Sequence, residues 1–317
     1  MEKVVAVTVN FRTPEDTVQT VEALLASEGV DLRMVLVENG SGDDSWGKLT
    51  AALGSNPRVE LVRSATNTGF SGGNNQGIRR ALEGGATHVF LVSSDVTVEP
   101  GAARTLVDAM ATYGAAAAQP LMLSRKDERV DTMGHMIDPR LDMVVDAGHG
   151  ELLPDLGPAD AHEVFGVCAG AAMYRRDVFE KVGLLLEDFF IYYEDVDLSF
   201  RLRYSGESSL LVPGAGARHT RYGSAGGFTL KFYYAERNWL CVKLRHYPPE
   251  AIMSTRFVRV VVREAVKAWR SKRLGEYTVV LARSFVAPHA APPAARRALQ
   301  QEWRGVPRRP PKAGAKS

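Results

Sequence analysis

Residues 67–77 read NTGFSGGNNQG, four glycines and three asparagines in eleven positions. They lie between a strand-like run, VELVR (59–63), and a helix-like run, IRRALEGG (78–85). Glycine costs backbone entropy, so its clustering implies positive φ or close approach of the backbone to something. Working outward, VVAVTVNF (4–11) is a β-branched apolar run that predicts a strand. Behind the Thr13-Pro14 start signal, Val18, Val21, Leu24 and Leu25 recur at helical spacing. RMVLVENGS (33–41), VELVR and THVFLVSSD (87–95) predict further strands, with a helix over about 74–83. Strands and helices in alternation predict an α/β fold, a mostly parallel sheet with helices on both faces.

The chain has 317 residues, 45% hydrophobic and 24% charged, the balance of a globular protein with one large domain or two smaller ones. No apolar run reaches the roughly 20 residues of a membrane span, and MEK leads straight into a strand; a cytoplasmic protein is expected. Cys168 and Cys241 show no metal-ligand spacing and are expected as thiols in a reducing compartment. A net charge of +2 argues against nucleic acid as a partner.

In parallel sheets ligands bind outside the carboxyl ends of the strands. Asn10, Glu38, Asn39, Asn67 and Asp95 all fall at such ends, and NTGFSGGNNQG leaves the sheet at the same edge. Its glycines would let the backbone lie against a ligand, and Asn74 and Asn75 would open a helix whose amides favour anions. The spacing does not match G-x-G-x-x-G, which disfavours a nicotinamide or flavin site. Beyond residue 100, AARTLVDAMATYG (102–114) predicts a helix, and MGHMIDPRLDMVVDAGHGE (133–151) a loop with a short hairpin. VCAGAAMYRRDVFEKVG (167–183) predicts a strand leading into a helix.

In DFFIYYEDVDLSFRLRYSG (188–206), Glu194, Asp195 and Asp197 follow the aromatic run Phe189, Phe190, Ile191, Tyr192 and Tyr193. A helix N-terminus accounts for one carboxylate but poorly for three. An aromatic wall limits water, raises a carboxylate's pKa and suits it to general-base work. His219, in GARHTRYGSAGG, would more often be packed or at the surface than a ligand. Paired with Asp95 it offers an imidazole and a hard oxygen, a set that could hold a divalent cation against a diphosphate.

VTVNF, VLVENGSGD, NTGFSGGNNQGI, FLVSSDVTV, GAAMYRRDVFEKVG, FFIYYEDVDLSFRLR, RHTRYGS and FYYAERN occur in that order over about residues 4–240. Together they resemble the inverting family 2 glycosyltransferases of the GT-A fold, most closely the rhamnosyltransferase-like branch. The resemblance implies that Asn10, Glu38, Asn39, Asp43, Asn67, Gly69 and Asn74 contact a nucleoside-diphosphate sugar, with Ser94 and Asp95 at its diphosphate. It implies a Mg2+ or Mn2+ ion on Asp95 and His219, and Asp195, with Glu194 beside it, as the base for an acceptor hydroxyl. Two positions depart from the family pattern. Ser93-Ser94-Asp95 lacks the first carboxylate of Asp-x-Asp, which implies weak or dispensable metal binding, and Glu38 replaces the usual aspartate. The donor stays open between dTDP- and UDP-sugars, rhamnose among them. The acceptor stays open between a lipid-linked, a glycan and a small-molecule hydroxyl. A sugar-nucleotide-binding chain without catalysis and a nucleotidyltransferase are the alternatives.

The expected domain plan is a catalytic unit over 1–240, a helical extension over 241–286 and a basic, Pro/Ala-rich tail over 287–317. The tail is expected to be mostly disordered, with a short helix near 294–303. Arg256, Arg259, Arg263, Lys267 and Arg270 form a basic stripe within 256–273. It reads either as the solvated face of a docked helix or as an interfacial helix holding the protein at the inner face of a membrane.

Overall fold

The structure, a computed structural model, describes residues 2–138, 143–153, 161–220 and 227–252, much of 261–282, and 292–303. The strands are β1 (Lys3–Asn10), β2 (Asp31–Glu38), β3 (Val59–Arg63), β4 (His88–Val92), β5 (Val96–Val98) and β6 (Ala117–Ser124). They continue with β7 (Val130–Thr132), β8 (His135–Asp138), β9 (Met143–Asp146), β10 (His162–Val164), β11 (Ala171–Arg175) and β12 (Ser209–His219). The helices are α1 (Pro14–Leu25), α2 (Ser45–Leu53), α3 (Gly69–Glu83), α4 (Ala102–Tyr113) and α5 (Arg176–Val182). After them come α6 (Glu194–Tyr204), α7 (Gly227–His246), α8 (Pro249–Ile252) and α9 (Pro293–Trp303). Helical stretches within 261–282 are cited by number.

Among the described residues ten strands form one sheet, ordered β10-β12-β6-β11-β4-β1-β2-β3, with β5 on β12 and β7 on β6. Pairing is parallel through β4-β1-β2-β3 and antiparallel at β11. The expected α/β fold is therefore present. Alternation along β1 builds both halves of the core: Val4 and Ala6 face the layer of α1, α2 and α4, while Val5 and Val7 face α3, α5 and α6. The expected hairpin is also present as the antiparallel pair β8–β9.

Helix α3 starts at Gly69, not near residue 74. The helical face of this segment is built for proximity. A Cβ at Gly77 would overlap the Val7 Cγ1 methyl, and one at Gly73 would lie 2.7 Å from Val9 Cγ1. Gly69, at φ +75°, sits against the backbone of Phe190. These glycines bring α3 onto β1 and onto the 187–193 loop, so the sequence expectation that they make room for a ligand is at most part of their cause.

The boundary expected at 240 falls inside α7. Cys241, Val242, Tyr247 and Val280 share a core with Phe165, Phe189, Val196 and Phe200, and α9 joins it through Leu299 and Trp303. The Trp303 ring meets Phe165 edge-on, with centroids 5.7 Å apart. Residues 293–303 are thus a docked helix; the remainder of the expected tail lies outside the described residues.

Gly77→Ala is expected to cost about 1–3 kcal/mol by overpacking α3 on β1. Gly47→Ala, in α2 with open space around its Cβ, is expected to be neutral or stabilising by up to about 1 kcal/mol. Urea unfolding of both checks this; a Gly77→Ala chain as stable as the parent would refute the close-packing account.

Candidate active site

Strand order reverses at β1, with β4 on one side and β2-β3 on the other, and in such sheets ligands bind outside the carboxyl ends at that point. The polar residues expected there are present, but several are already bonded within the protein. Asn10 is buried, donating to Ser41 Oγ at 3.3 Å and accepting from the Thr17 hydroxyl at 2.9 Å. Buried Glu38 accepts from the Ser41 N–H at 2.8 Å. Asn39 ties β2 to the start of α3: its amide donates to Asn67 Oδ1 and to the Gly69 carbonyl, and its Oδ1 accepts from the Thr68 N–H and hydroxyl. Asn74 donates to the Phe70 carbonyl and is buried. Asn75 binds the Leu185 backbone and Glu187. Asp43 is exposed and accepts from the Ser45 N–H at the start of α2, a bond that lowers its pKa. Of the expected nucleotide contacts, Asn10, Glu38, Asn39, Gly69 and Asn74 are thus buried within the protein, while Asp43, Asn67, Ser94 and Asp95 keep some exposure at this edge.

After β4 the chain turns through Ser93, Ser94 and Asp95. Ser94 and Thr13 share a hydroxyl contact of 3.3 Å. His219, the last residue of β12, pairs with β5 opposite Val96 and so comes beside Asp95, Nε2 to Oδ1 at 3.2 Å. Its Nδ1 meets Asp131 Oδ2 at 2.8 Å, a partner the sequence analysis missed. Burial alone would lower the His219 pKa, but the bonds to Asp131 and Asp95 outweigh it and push the ring up to about 9. The metal-free ring is therefore an imidazolium between two carboxylates. A carboxylate behind one ring nitrogen and an aspartate beside the other suit a divalent cation, which would displace the Nε2 proton.

The other half of the site comes from α6. Ala171 pairs with Val92, so the turn before β11 lies at the carboxyl end of β4, where the Ser93 N–H donates to the Gly170 carbonyl at 2.9 Å. The neighbouring Ala169 N–H donates to Asp195 Oδ2 at 3.0 Å, and the Val196 N–H to Oδ1 at 2.8 Å. Asp195 is 13% exposed. Its two neighbours are not. Glu194 is buried with one oxygen lacking a partner, and desolvation and Asp195 hold its pKa well above the carboxylate range. Asp197 is fully buried in a charge cluster with Arg201 (2.7 Å), Arg245 (2.8 Å) and His246 (2.8 Å). Burial alone would raise its pKa, but Arg201, His246 and Arg245 outweigh it and hold it far down. Burial and Asp195 thus raise Glu194, whereas Asp197 titrates the opposite way because cations surround it.

The run itself is strained. Phe190, Tyr192 and Tyr193 have φ of 65°, 72° and 69°, the left-handed region that non-glycine residues seldom occupy. Two side chains of α7, which the sequence analysis did not single out within FYYAERN, hold it. Arg237 donates to the carbonyls of Asp188 and Phe189. The Asn238 amide donates to those of Phe189, Ile191 and Tyr192 at 2.8, 2.9 and 2.7 Å. The Phe190 and Tyr234 rings stack, with centroids 5.0 Å apart.

Of the basic stripe, Arg256, Arg259 and Lys267 lie outside the described residues. Near Arg263 and Arg270, Val262, Val266 and Trp269 are exposed, Trp269 by 66%. Among the described residues no helix is long and apolar enough to cross a membrane.

The fold is that of the GT-A glycosyltransferases. The sequence profile of "Glycosyl transferase family 2" matches residues 4–183, and the chain belongs to that family. The chain is 28% identical over 203 residues to the low-salt glycan biosynthesis hexosyltransferase Agl10 of Haloferax volcanii, a match covering 62% of this chain and 60% of that one. It is also 28% identical over 212 residues to an N-acetylglucosaminyl-diphospho-decaprenol L-rhamnosyltransferase of Mycobacterium tuberculosis, covering 61% and 68%. Among solved structures it resembles GalNAc-T7 with UDP, GalNAc and Mn2+ (TM-score 0.63, 14% identity, 91% of this chain and 58% of that one). It also resembles the mannosyltransferase PcManGT of Pyrobaculum calidifontis with GDP-Man and Mn2+ (0.53, 14%, 94% and 79%). At that identity these two likenesses bear on the fold.

Asp197→Asn is expected to cost about 3–5 kcal/mol near neutral pH, because it leaves Arg201 and Arg245 buried without their counter-charge. Asp197 is held below its unfolded value of about 3.9, so its contribution is complete above that pH and is lost as pH falls below it. Denaturant unfolding as a function of pH should show parent and variant converging in acid; a constant gap would rule out the ion-pair account.

Proposed function

We propose that the chain transfers a sugar from a nucleoside-diphosphate sugar to an acceptor hydroxyl by single displacement with inversion. The observation that carries this reading is Asp195, partly exposed, fixed by two backbone N–H groups and tied through Ala169, Gly170 and Ser93 to the edge that bears Asp95 and His219. Asp195 takes the proton from the acceptor hydroxyl as its oxygen forms the bond to the anomeric carbon and the diphosphate leaves from the opposite side. Glu194 is enclosed, which leaves Asp195 as the carboxylate within reach at that point. The donor lies against Asn67, Asp43 and Ser94, with its diphosphate toward Asp95. Asp95 and His219 would hold Mg2+ or Mn2+, which supplies charge neutralisation for the departing diphosphate. The Mn2+ bound in the two solved neighbours supports a metal of this class, and the rhamnosyltransferase relative favours a deoxyhexose donor.

Asp195→Asn is expected to lower turnover by about 10²- to 10⁴-fold while calorimetry shows donor binding nearly unchanged. In the same titrations, Mn2+ should bind the parent weakly alone and more tightly with nucleoside diphosphate, and Asp95→Ala should lose that gain. Turnover in the Asn variant above about a tenth of the parent's would remove Asp195 as base. Release of pyrophosphate, not nucleoside diphosphate, would make the chain a nucleotidyltransferase; donor binding with neither product would make it a binding protein.

The exposed Val262, Val266 and Trp269 beside Arg263 and Arg270 favour a lipid-linked acceptor over a soluble one, because they would meet an anionic bilayer. Sedimentation with vesicles containing anionic lipid should pellet the protein at low salt and less of it at physiological salt. Protein that stays in the supernatant at both would point to a soluble acceptor.

A further inference from the structure

His135, Cys168 and Asp195 converge from three separate elements: the start of β8, the turn before β11 and the first turn of α6. One ligand atom from each lies within 4.8 Å of the other two. His135 Nε2 is 3.6 Å from Asp195 Oδ2. The His135 ring is buried, and its Nδ1 has no hydrogen-bond partner. Cys168 is half-buried, its backbone N–H fixed by Gln119 Oε1 at 2.7 Å. None of the three belongs to the Asp95–His219 pair.

The chemistry of this set differs from that of the diphosphate edge. Thiolate and imidazole suit Zn2+, whereas Mg2+ and Mn2+ prefer oxygen. Cys, His and Asp are each zinc ligands, and a three-ligand zinc site leaves one position open. Bonds of about 2.0–2.3 Å put tetrahedral ligands roughly 3.3–3.8 Å apart, so closing the triad takes side-chain movement of about 1 Å. We propose that His135, Cys168 and Asp195 form a site for a thiophilic divalent cation of the Zn2+ class, and that this cation inhibits transfer by occupying Asp195. Desolvation, together with Asp146, Asp195 and Asp131, holds the empty thiol well above its usual range. The same three carboxylates favour a cation at the sulfur. On binding, the Cys168 S–H proton passes to solvent and the sulfur's electron pair goes to the metal. Binding stands on these three residues alone; the inhibitory half rests on Asp195 as base.

Co2+ added to the full chain tests binding without an activity readout. We expect one Co2+ per chain with a near-ultraviolet thiolate-to-cobalt charge-transfer band. The band should be displaced by Zn2+, kept in Asp95→Ala and lost in Cys168→Ser. His135→Gln is a second variant that leaves the thiol in place, and its Co2+ affinity should fall at least about tenfold. In the transfer assay Zn2+ should inhibit the parent reversibly, with chelator restoring activity. Cys168→Ser should need at least about tenfold more Zn2+ for the same inhibition. Absence of the band in the parent, its persistence in Cys168→Ser, or unchanged affinity in His135→Gln overturns the site. A parent that binds Zn2+ yet transfers sugar at full rate overturns the inhibition. If Asp195→Asn retains turnover while the parent shows the band, the reading of the base fails and the metal site stands.

Discussion

The site depends on a strained turn. Three non-glycine residues at positive φ precede α6 and aim its first turn, and each such residue costs on the order of 1–3 kcal/mol. What holds them is a set of carbonyl acceptors, Asp188, Phe189, Ile191 and Tyr192, bound by two adjacent side chains of α7. A helix N-terminus set this way can present Asp195 outward while Glu194 and Asp197 stay inside. The same loop closes over α3, where the Ser71 N–H donates to the Phe190 carbonyl and Gly69 leaves room for it. Asp195, residues 67–77 and α7 are therefore mechanically one unit.

That unit explains the composition of residues 67–77 better than ligand contact alone does. Gly73 and Gly77 let α3 approach β1 at Val9 and Val7, Asn75 fastens α3 to Leu185 and Glu187, and Asn39 fastens the turn at 67–69 to β2. Polar side chains with such partners offset their own burial. This edge of the sheet is held in place because the groups behind it are already satisfied. Half-buried Asn67, Ser94 and Asp95 are the groups left for the proposed diphosphate.

The alternating strands and helices of the first hundred residues were legible because their periodicity is local: β1 alternates between two cores, and α1 follows its Thr13-Pro14 start. Strand β12 was not legible. Its sequence SLLVPGAGARH is interrupted by Pro213 and two glycines, and its register on β6 shifts between Val212 and Gly216, so the apolar pattern breaks where a bulge absorbs the extra residues. The carboxylate trio was recognisable in sequence, but its division of labour was not. That division comes from Arg245 and His246, about fifty residues away, which claim Asp197. Asp131 was invisible for the same reason, since only the pairing of β12 with β5 and β6 brings His219 to it.

The departure at Ser93-Ser94-Asp95 has a counterpart in that pairing. A sequence with Asp-x-Asp would place two carboxylates at the turn after β4; this chain places one there and a second, Asp131, behind His219. The negative charge is retained but reaches the cation position through an imidazole, which carries a proton when no cation is present. Two carboxylates side by side would repel each other, whereas a protonated His219 between Asp95 and Asp131 offsets one of their two charges. A cation held at His219 Nε2 would have to displace that proton. If Asp95 and His219 hold a cation as proposed, the missing carboxylate and that proton would each weaken its binding.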